Sequence, residues 1–199
     1  MKERASDLNA RIAKRVRGLR ARHRLSLDEL ARKSGVSRSM ISLVERGESS
    51  PTAVVLEKLA AGLGVTLPAL FDTETETRPQ AHGPVSHRKD QQDWQDPASG
   101  YRRRNVSPPA VPQPMRIVEV NFPAGARVAF DAPARDVRVH QQIWILKGTM
   151  EIRWGKERYR LQEGDCLAMQ LDGPTMFYNP TRKAARYAVV IETENPSRR

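Results

Sequence analysis

Apolar positions recur at helical spacing through the first 71 residues, then alternate at strand spacing further along the chain. Leu8, Ile12, Val16 and Leu19 fall on one stripe and predict an amphipathic helix. Leu27, Leu30 and Ala31 keep an i, i+3, i+4 spacing and predict a second, with Asp28, Arg32 and Lys33 on its wet side. Ser26 and Glu29 are spaced as a capping box, each side chain able to satisfy an orphan amide at the helix start. Gly35 follows Lys33 and Ser34, where a helix can end on a residue of positive φ, and a small residue there lets the next helix swing back across the first. Ser37 can cap that next helix. Its Val36, Ile41 and Val44 are expected to pack inward, leaving Arg38, Ser39 and Ser42 on the outer face. Gly47 stops it. Ser50-Pro51 opens a fourth helix, with Pro51 expected at the tolerated first position and Val55, Leu56, Leu59 and Leu63 as its apolar face. Leu67, Leu70 and Phe71 close a five-helix all-α unit.

A break follows Phe71. Residues 72–84 are polar and threonine-rich and end in Gly83-Pro84, which reads as a linker. Beyond it the strand candidates are 115–120, 127–130, 139–147, 150–154, 159–161, 166–170, 176–178 and 187–191. Stretches 85–94 and 101–106 are expected to add leading strands. Short strands punctuated by Gly, Asn and Pro turns predict an all-β small barrel or double-sheet jelly roll. Arg102, Arg103 and Arg104 are expected to form a solvated strand edge, and residues 107–114 a loop. The resulting division is 1–71 helical domain, 72–84 linker, 85–193 β domain and 194–199 tail.

Charge refines this picture. The chain has 199 residues, enough for one or two domains, and a net charge of +11. Residues 1–71 carry 14 Lys/Arg against 7 Asp/Glu, residues 72–115 carry 6 against 6, and residues 116–199 carry 14 against 10. The basic excess thus concentrates on the helical part, which suits neutralisation of phosphates. Cys166 is the sole cysteine, so an internal disulfide is excluded, and it is expected to be a buried strand residue. No apolar run is long enough to span a bilayer and no signal-peptide pattern opens the chain, so no membrane partner is expected and the cytoplasm is the expected compartment.

Residues 25–51 give the helix, tight turn, helix order that places one helix in the major groove of DNA. This segment strongly resembles the phage-repressor-like Cro and cI, or XRE, family of DNA-binding domains. The matching residues are Leu30-Ala31, Ser34-Gly35-Val36-Ser37, Ile41-Ser42, Glu45-Arg46-Gly47, Pro51, Leu59-Ala60 and Leu70-Phe71, and the match runs from 8 to 71 without a gap. The resemblance implies a double-stranded DNA operator as partner. Arg38 and Ser39 are assigned to base edges, Arg38 as the bidentate contact to guanine, with Ser42 a weaker and less selective contact. Ser26, Ser37, Arg46, Ser49 and Thr52 are assigned to flanking phosphates. The family often has glutamine where this chain has Leu27, so that polar contact is missing. One such module touches few bases, so tight binding favours a homodimer on a pseudo-palindromic operator.

Trp144-Ile145-Leu146-Lys147-Gly148 followed by Met150-Glu151-Ile152 resembles the end of the first cupin motif, and Leu161, Gly164-Asp165 and Asn179-Pro180 resemble the second. The resemblance spans roughly 84–193 and implies a double-stranded β-helix, or jelly roll. Cupin metalloenzymes usually supply two histidines and a glutamate from the first motif and a third histidine from the second. Here the glutamate position falls on Gln141. The first two histidine positions fall on Arg135 and Val137, or on Ala134 and Asp136, the last falls on Thr175, and the second motif's proline is Gln170. Amides and hydroxyls are poor transition-metal ligands. No metal, no cofactor and no enzymatic activity are therefore expected. Strand alternation points Gln141, Ile143 and Ile145 to one face and His140, Gln142, Trp144 and Leu146 to the other. With Gln141 facing the cavity, Thr175 and Phe177 face it too, and Arg135 can pair with an anionic ligand group. A shifted register would bring His140 inward as well. The ligand set is thus Arg135, His140, Gln141, Ile143, Thr175 and Phe177, the alternative being a barrel filled by its own side chains. The combination of both domains resembles regulators that join a repressor-type helix-turn-helix to a cupin sensor, in which the cupin usually dimerises and binds a small-molecule effector. The function implied is transcriptional regulation, of the repressor kind. A cupin used only for dimerisation, or a metal-dependent enzyme, are the alternatives.

Overall fold

The computed structural model describes residues 2–71, 84–108, 114–131 and 138–194, with side chains from residue 8 onward. The chain separates into two compact units, one of helices and one of strands. The linker segment 72–83, the loop residues 109–113 and the tail residues 195–199 lie outside the described residues.

The helical unit contains α1 (Lys2–Arg22), α2 (Leu27–Ser34), α3 (Arg38–Glu45) and α4 (Ala53–Gly62). The fifth helix of the sequence reading is a five-residue 3-10 turn, Leu67–Phe71, in which Leu67, Leu70 and Phe71 are still buried. The Ala69 amide donates to the Thr66 carbonyl at 3.0 Å, the i to i+3 bond of a 3-10 turn. The apolar stripes meet as expected. Leu8, Ile12, Val16 and Leu19 of α1 are buried with Leu30, Val36, Ile41, Val44, Leu56, Leu59 and Leu63. Val55 is only half-buried. At the start of α4 the cap is Thr52, whose hydroxyl accepts from the Val55 amide at 3.4 Å, so Pro51 lies before the cap instead of at the first helical position. Gly62, at the end of α4, lies against α2. A methyl group there would sit 2.8 Å from Ser34 Cβ.

The second unit is a jelly roll of ten strands among the described residues: β1 (Asp93–Gln95), β2 (Arg102–Asn105), β3 (Met115–Phe122), β4 (Arg127–Phe130), β5 (Arg138–Lys147), β6 (Thr149–Trp154), β7 (Glu157–Gln162), β8 (Cys166–Gln170), β9 (Thr175–Tyr178) and β10 (Ala185–Glu194). They form two antiparallel sheets, ordered β1-β2-β3-β10-β5-β8 and β4-β9-β6-β7. Of the expected leading strand 85–94 only its end is extended as β1, preceded by a 3-10 turn at Arg88–Asp90. The sheets enclose an apolar interior that includes Val118, Val120, Phe122, Ile143, Ile145, Met150, Ile152, Phe177, Val189 and Ile191. A row of rings runs through it. Trp94 meets Tyr101 edge-on at 5.9 Å, Tyr101 stacks on Phe122 at 5.5 Å, Phe122 tilts against Tyr187 at 6.3 Å, and Tyr187 stacks on Phe177 at 6.2 Å. The last contact joins β10 of one sheet to β9 of the other. Gly148 makes the β5–β6 turn at φ +86, with Ala185 close against it: a Cβ would lie 3.2 Å from the Ala185 Cα. That double demand explains a glycine there.

Two expectations about this unit are corrected. Arg103 and Arg104 are buried, at 6% and 8% exposure, where a solvated edge was expected. The reason is β1, which pairs outside β2 and removes it from the sheet edge. Arg104 then pairs with Glu119 across the β2–β3 ladder, while Arg103 stands between the buried Trp94 and Val120. Cys166 is exposed, not buried, because its parity on β8 places it beside the exposed Trp144 of β5.

Candidate functional site: the exposed face of α3 and the jelly-roll interior

The segment leading into α3 is built from caps. The Ser26 hydroxyl accepts from the Glu29 amide at 3.2 Å, and Glu29 accepts from the Ser26 amide at 2.7 Å, the reciprocal capping box. Ser26 also donates its hydroxyl to Glu29 at 2.7 Å. These bonds from Ser26, the backbone one foremost, hold the Glu29 carboxyl below the usual carboxylate range. Helix α2 closes on Gly35 at φ +66, whose amide donates to the Ala31 carbonyl at 2.9 Å. Ser34 is buried at the junction, donating to the Leu30 carbonyl at 2.7 Å and accepting from the Val36 amide at 3.2 Å. Ser37 then caps α3 through the Met40 amide at 3.3 Å.

One ion pair fixes α3 from behind. Arg20 of α1 grips Glu45 at the far end of α3 with two bonds, Nε–Oε1 at 2.6 Å and Nη2–Oε2 at 2.8 Å. A third bond runs from Arg20 Nη1 to the Leu25 carbonyl at 2.9 Å. Both side chains are largely buried, 19% and 8% exposed, and the bond to Glu45 raises the arginine pKa further above its ordinary value. The sequence reading missed Arg20. Its position, in the last turn of α1 and one turn before the loop, carries no signal until α3 is placed.

Caps and staple leave one face of α3 exposed. Ser37, Arg38, Ser39 and Arg46 are exposed and Ser42 is half-buried. Arg38 is 66% exposed, held only by Asp28 at 3.5 Å, itself 70% exposed. A surface pair of this kind is worth about 0–1 kcal/mol, so Arg38 can leave it at little cost. Ser39 and Ser37 share a hydroxyl contact at 3.2 Å. Arg46 donates to the Ser42 hydroxyl and to Glu48 at 2.7 Å, an exposed pairing that raises the arginine pKa and lowers that of Glu48. Ser49 is half-buried and leans on the Met40 sulfur at 3.8 Å. The structure therefore brings Ser37, Arg38, Ser39, Ser42 and Arg46 to the same helix and its caps. Ser26 and Thr52 serve as caps of the neighbouring helices.

In the jelly roll the burial pattern of β5 alternates as expected, with Val139, Ile143 and Ile145 buried and Gln142 and Trp144 exposed. Gln141 is half-buried on the Ile143 side. Thr175 and Phe177 are buried on β9, and Phe177 also meets Phe130 edge-on at 6.1 Å. Gln141 and Ile143 thus line the inner side of one sheet, and Thr175 and Phe177 the inner side of the other. His140 is not with them. It lies on the opposite side of β5, 44% exposed, with its Nε2 3.9 Å from Glu194. Arg135 lies outside the described residues. Arg103, expected in solvent, lies buried on the inner side between Trp94 and Val120. Its charge reaches the fully buried Tyr187 and favours the phenolate, but burial dominates and pushes the Tyr187 pKa well above the ordinary value. Among the described residues no three of His, Cys, Asp or Glu come together as metal ligands. The amide of Gln141 and hydroxyl of Thr175 do not fit a transition metal. No helix among them is long and apolar enough to cross a membrane.

The helix-turn-helix family model HTH_3 matches residues 16–70. The chain is 36% identical over 69 residues to the HTH-type transcriptional regulator SutR of Escherichia coli (strain K12), which is 35% of this chain and 39% of that protein. It is 36% identical over 73 residues, 36% of its length, to the control protein C.MunI of a Mycoplasma species, covering 99% of that protein. The chain thus spans about two fifths of SutR but nearly the whole of C.MunI. A crystal structure of an HTH_3 family transcriptional regulator from Vibrio cholerae is similar over 94% of this chain and 98% of its own, at TM-score 0.74 and 26% identity. The chain belongs to the HTH_3 helix-turn-helix family, and its second unit is an antiparallel jelly roll.

Proposed function

We propose that this chain is a sequence-specific DNA-binding transcription regulator, a repressor that acts as a homodimer in the cytoplasm. Residues 1–71 read the operator, 72–84 form the linker, 85–193 form the sensing and dimerising cupin, and 194–199 are a tail. The observation that carries the reading is the pairing of an exposed, weakly held Arg38 with a helix rigidly capped by Ser37 and stapled by Arg20 to Glu45. A rigid helix with an exposed, weakly paired guanidinium at its first turn suits bidentate recognition of guanine in the major groove. Ser39 and Ser42 add less selective contacts, and Ser37, Arg46, Ser49 and Thr52 flank them as phosphate contacts. Ser26 is the weakest of these assignments, since its amide and hydroxyl are already engaged with Glu29.

Binding-site selection on the full chain tests this. Arg38→Ala relaxes base preference at one position of each half-site, by about 1–3 kcal/mol. An unchanged preference overturns the assignment.

For the jelly roll, the proposed effector site comprises Gln141, Ile143, Thr175 and Phe177, with Arg135 as the anion partner and no metal. A ligand regulates only through different affinities for the DNA-competent and incompetent arrangements. A second reading, a barrel that only dimerises, is favoured by the aromatic row from Trp94 to Phe177 that occupies the interior. A thermal-shift screen across metabolites, repeated with operator DNA, separates the two: a ligand that moves the barrel transition supports sensing.

A further inference from the structure

The outer face of the six-stranded sheet carries a diagonal band of apolar side chains, flanked by Gln142 and by Glu119 in its ion pair with Arg104. Ile117 of β3 lies beside Val190 of β10, and Ala188 of β10 lies beside Trp144 of β5, which in turn lies beside Cys166 of β8. Ala168 and Met115 extend the patch. Three of these are large and open to solvent: Trp144 is 51% exposed, Met115 52% and Ile117 42%. Each strand has turned its other face to the core, so these residues have no role inside the barrel. Contiguous exposed apolar surface of this kind marks an interaction site.

The charges at its two ends identify what covers it. On β10, the central strand of the patch, Arg186 lies at one end and Glu192 at the other, both exposed and both of outward parity with Ala188 and Val190. The exposed Lys147, opposite Arg186, strengthens the basic end, and Glu194 continues past Glu192. The midpoint between Arg186 and Glu192 is residue 189, which is also the middle of the apolar patch. A two-fold axis lying in the plane of the face and crossing the strands at that level reverses the strand direction of the second copy. It sets Arg186 of each protomer against Glu192 of its partner and crosses the two apolar bands at β10, with Ala188 against the partner's Val190, Trp144 over the partner's Gln142 and Ile117 over the partner's Glu119. An axis running along the strands would instead set arginine on arginine and glutamate on glutamate, which is repulsive. A face that complements itself in this way fits an isologous dimer.

We propose that this outer sheet face is the homodimer interface, two copies packing face to face with antiparallel β10 strands and paired Arg186 and Glu192. The proposal rests on the homodimer reading above and names the surface and orientation that reading leaves open.

Sedimentation equilibrium on the full chain tests it, with far-ultraviolet circular dichroism confirming that each variant is folded. The wild type is expected to be dimeric at micromolar concentration, and Trp144→Glu monomeric. Arg186→Glu and Glu192→Arg each weaken the dimer by at least about tenfold, since each puts like charges together. The double variant Arg186→Glu with Glu192→Arg restores affinity to near the wild-type value, because the charges have only exchanged places. A monomeric wild type overturns the homodimer reading itself. A dimeric wild type with an equally dimeric Trp144→Glu overturns the choice of face and leaves that reading standing. Failure of the double variant to restore affinity overturns the antiparallel orientation.

Discussion

Replacing Arg20 with methionine probes how α3 is held in place. The substitution keeps an unbranched apolar stem and removes the guanidinium, leaving Glu45 only 8% exposed without its two bonds from Arg20. The Leu25 carbonyl loses its donor as well. Removing one partner of a buried pair costs about 3–5 kcal/mol. Arg20 retains 19% exposure, so some water reaches the site and the lower end, about 3 kcal/mol, is the expected loss. In a unit of this size each kcal/mol moves the midpoint by about 4–8 °C, giving a fall of about 12–24 °C. The two units can be read separately, because all 3 tryptophans, Trp94, Trp144 and Trp154, lie in the jelly roll. Ellipticity at the helical minimum follows the helical unit, and tryptophan fluorescence serves as an internal control that should not move. Glu45→Met in the same background removes the stranded carboxylate, so the double variant should recover much of the loss. A coupling below about 0.5 kcal/mol in the double-mutant cycle would refute the reasoning, since contacting residues that act as a unit exceed that value.

Gly62→Ala should destabilise the helical unit by about 1–3 kcal/mol through overpacking, despite alanine's better helix propensity, because its methyl would meet Ser34, which is locked by hydrogen bonds to the Leu30 carbonyl and Val36 amide; a rise in the helical melting temperature would contradict this. Asn179, fully buried, donates to the carbonyls of Phe122, Pro123 and Lys183 and accepts from the Thr181 amide and hydroxyl. Asn179→Ala should therefore cost about 2–4 kcal/mol, seen by fluorescence-detected urea unfolding and absent from the helical signal. Burial raises the pKa of Tyr187 in the folded state above its unfolded value, so its contribution to stability is complete below about pH 10 and is lost as pH rises through the folded value. Tyr187→Phe should flatten that alkaline decline in barrel stability, and superimposable pH profiles would count against the assignment.

Local chemistry made the helical unit legible. The capping pair Ser26 and Glu29, the left-handed Gly35 and the Ser37 cap are each a few residues long, and each forms as its spacing predicts. Features that depend on distant partners were not legible. Arg20 finds Glu45 25 residues away, and Gly62 finds Ser34. Neither pairing has a periodicity to reveal it. In the β domain the alternation on β5 set the inner and outer faces correctly, and the turn glycine at 148 placed the β5–β6 hairpin. Arg102 to Arg104 misled because a run of three arginines reads as a wet edge, whereas a three-residue strand pairs beyond it and covers two of them. Cys166 misled in the opposite sense: its residue type favours burial, but strand parity faces it outward. The fifth helix is a five-residue 3-10 turn that keeps Leu67, Leu70 and Phe71 buried.

Hydroxyl-radical footprinting of the full chain on an operator obtained by selection tests whether two copies of α3 read the DNA. Two copies of α3 entering successive major grooves predict two protected patches on one side of the duplex, centred about 10 base pairs apart and related by two-fold symmetry. Arg38→Ala should weaken both patches together, and Trp144→Glu should remove the symmetry by leaving single modules. A single asymmetric patch for the wild type, or sequence-independent protection that Arg38→Ala leaves unchanged, would contradict the account.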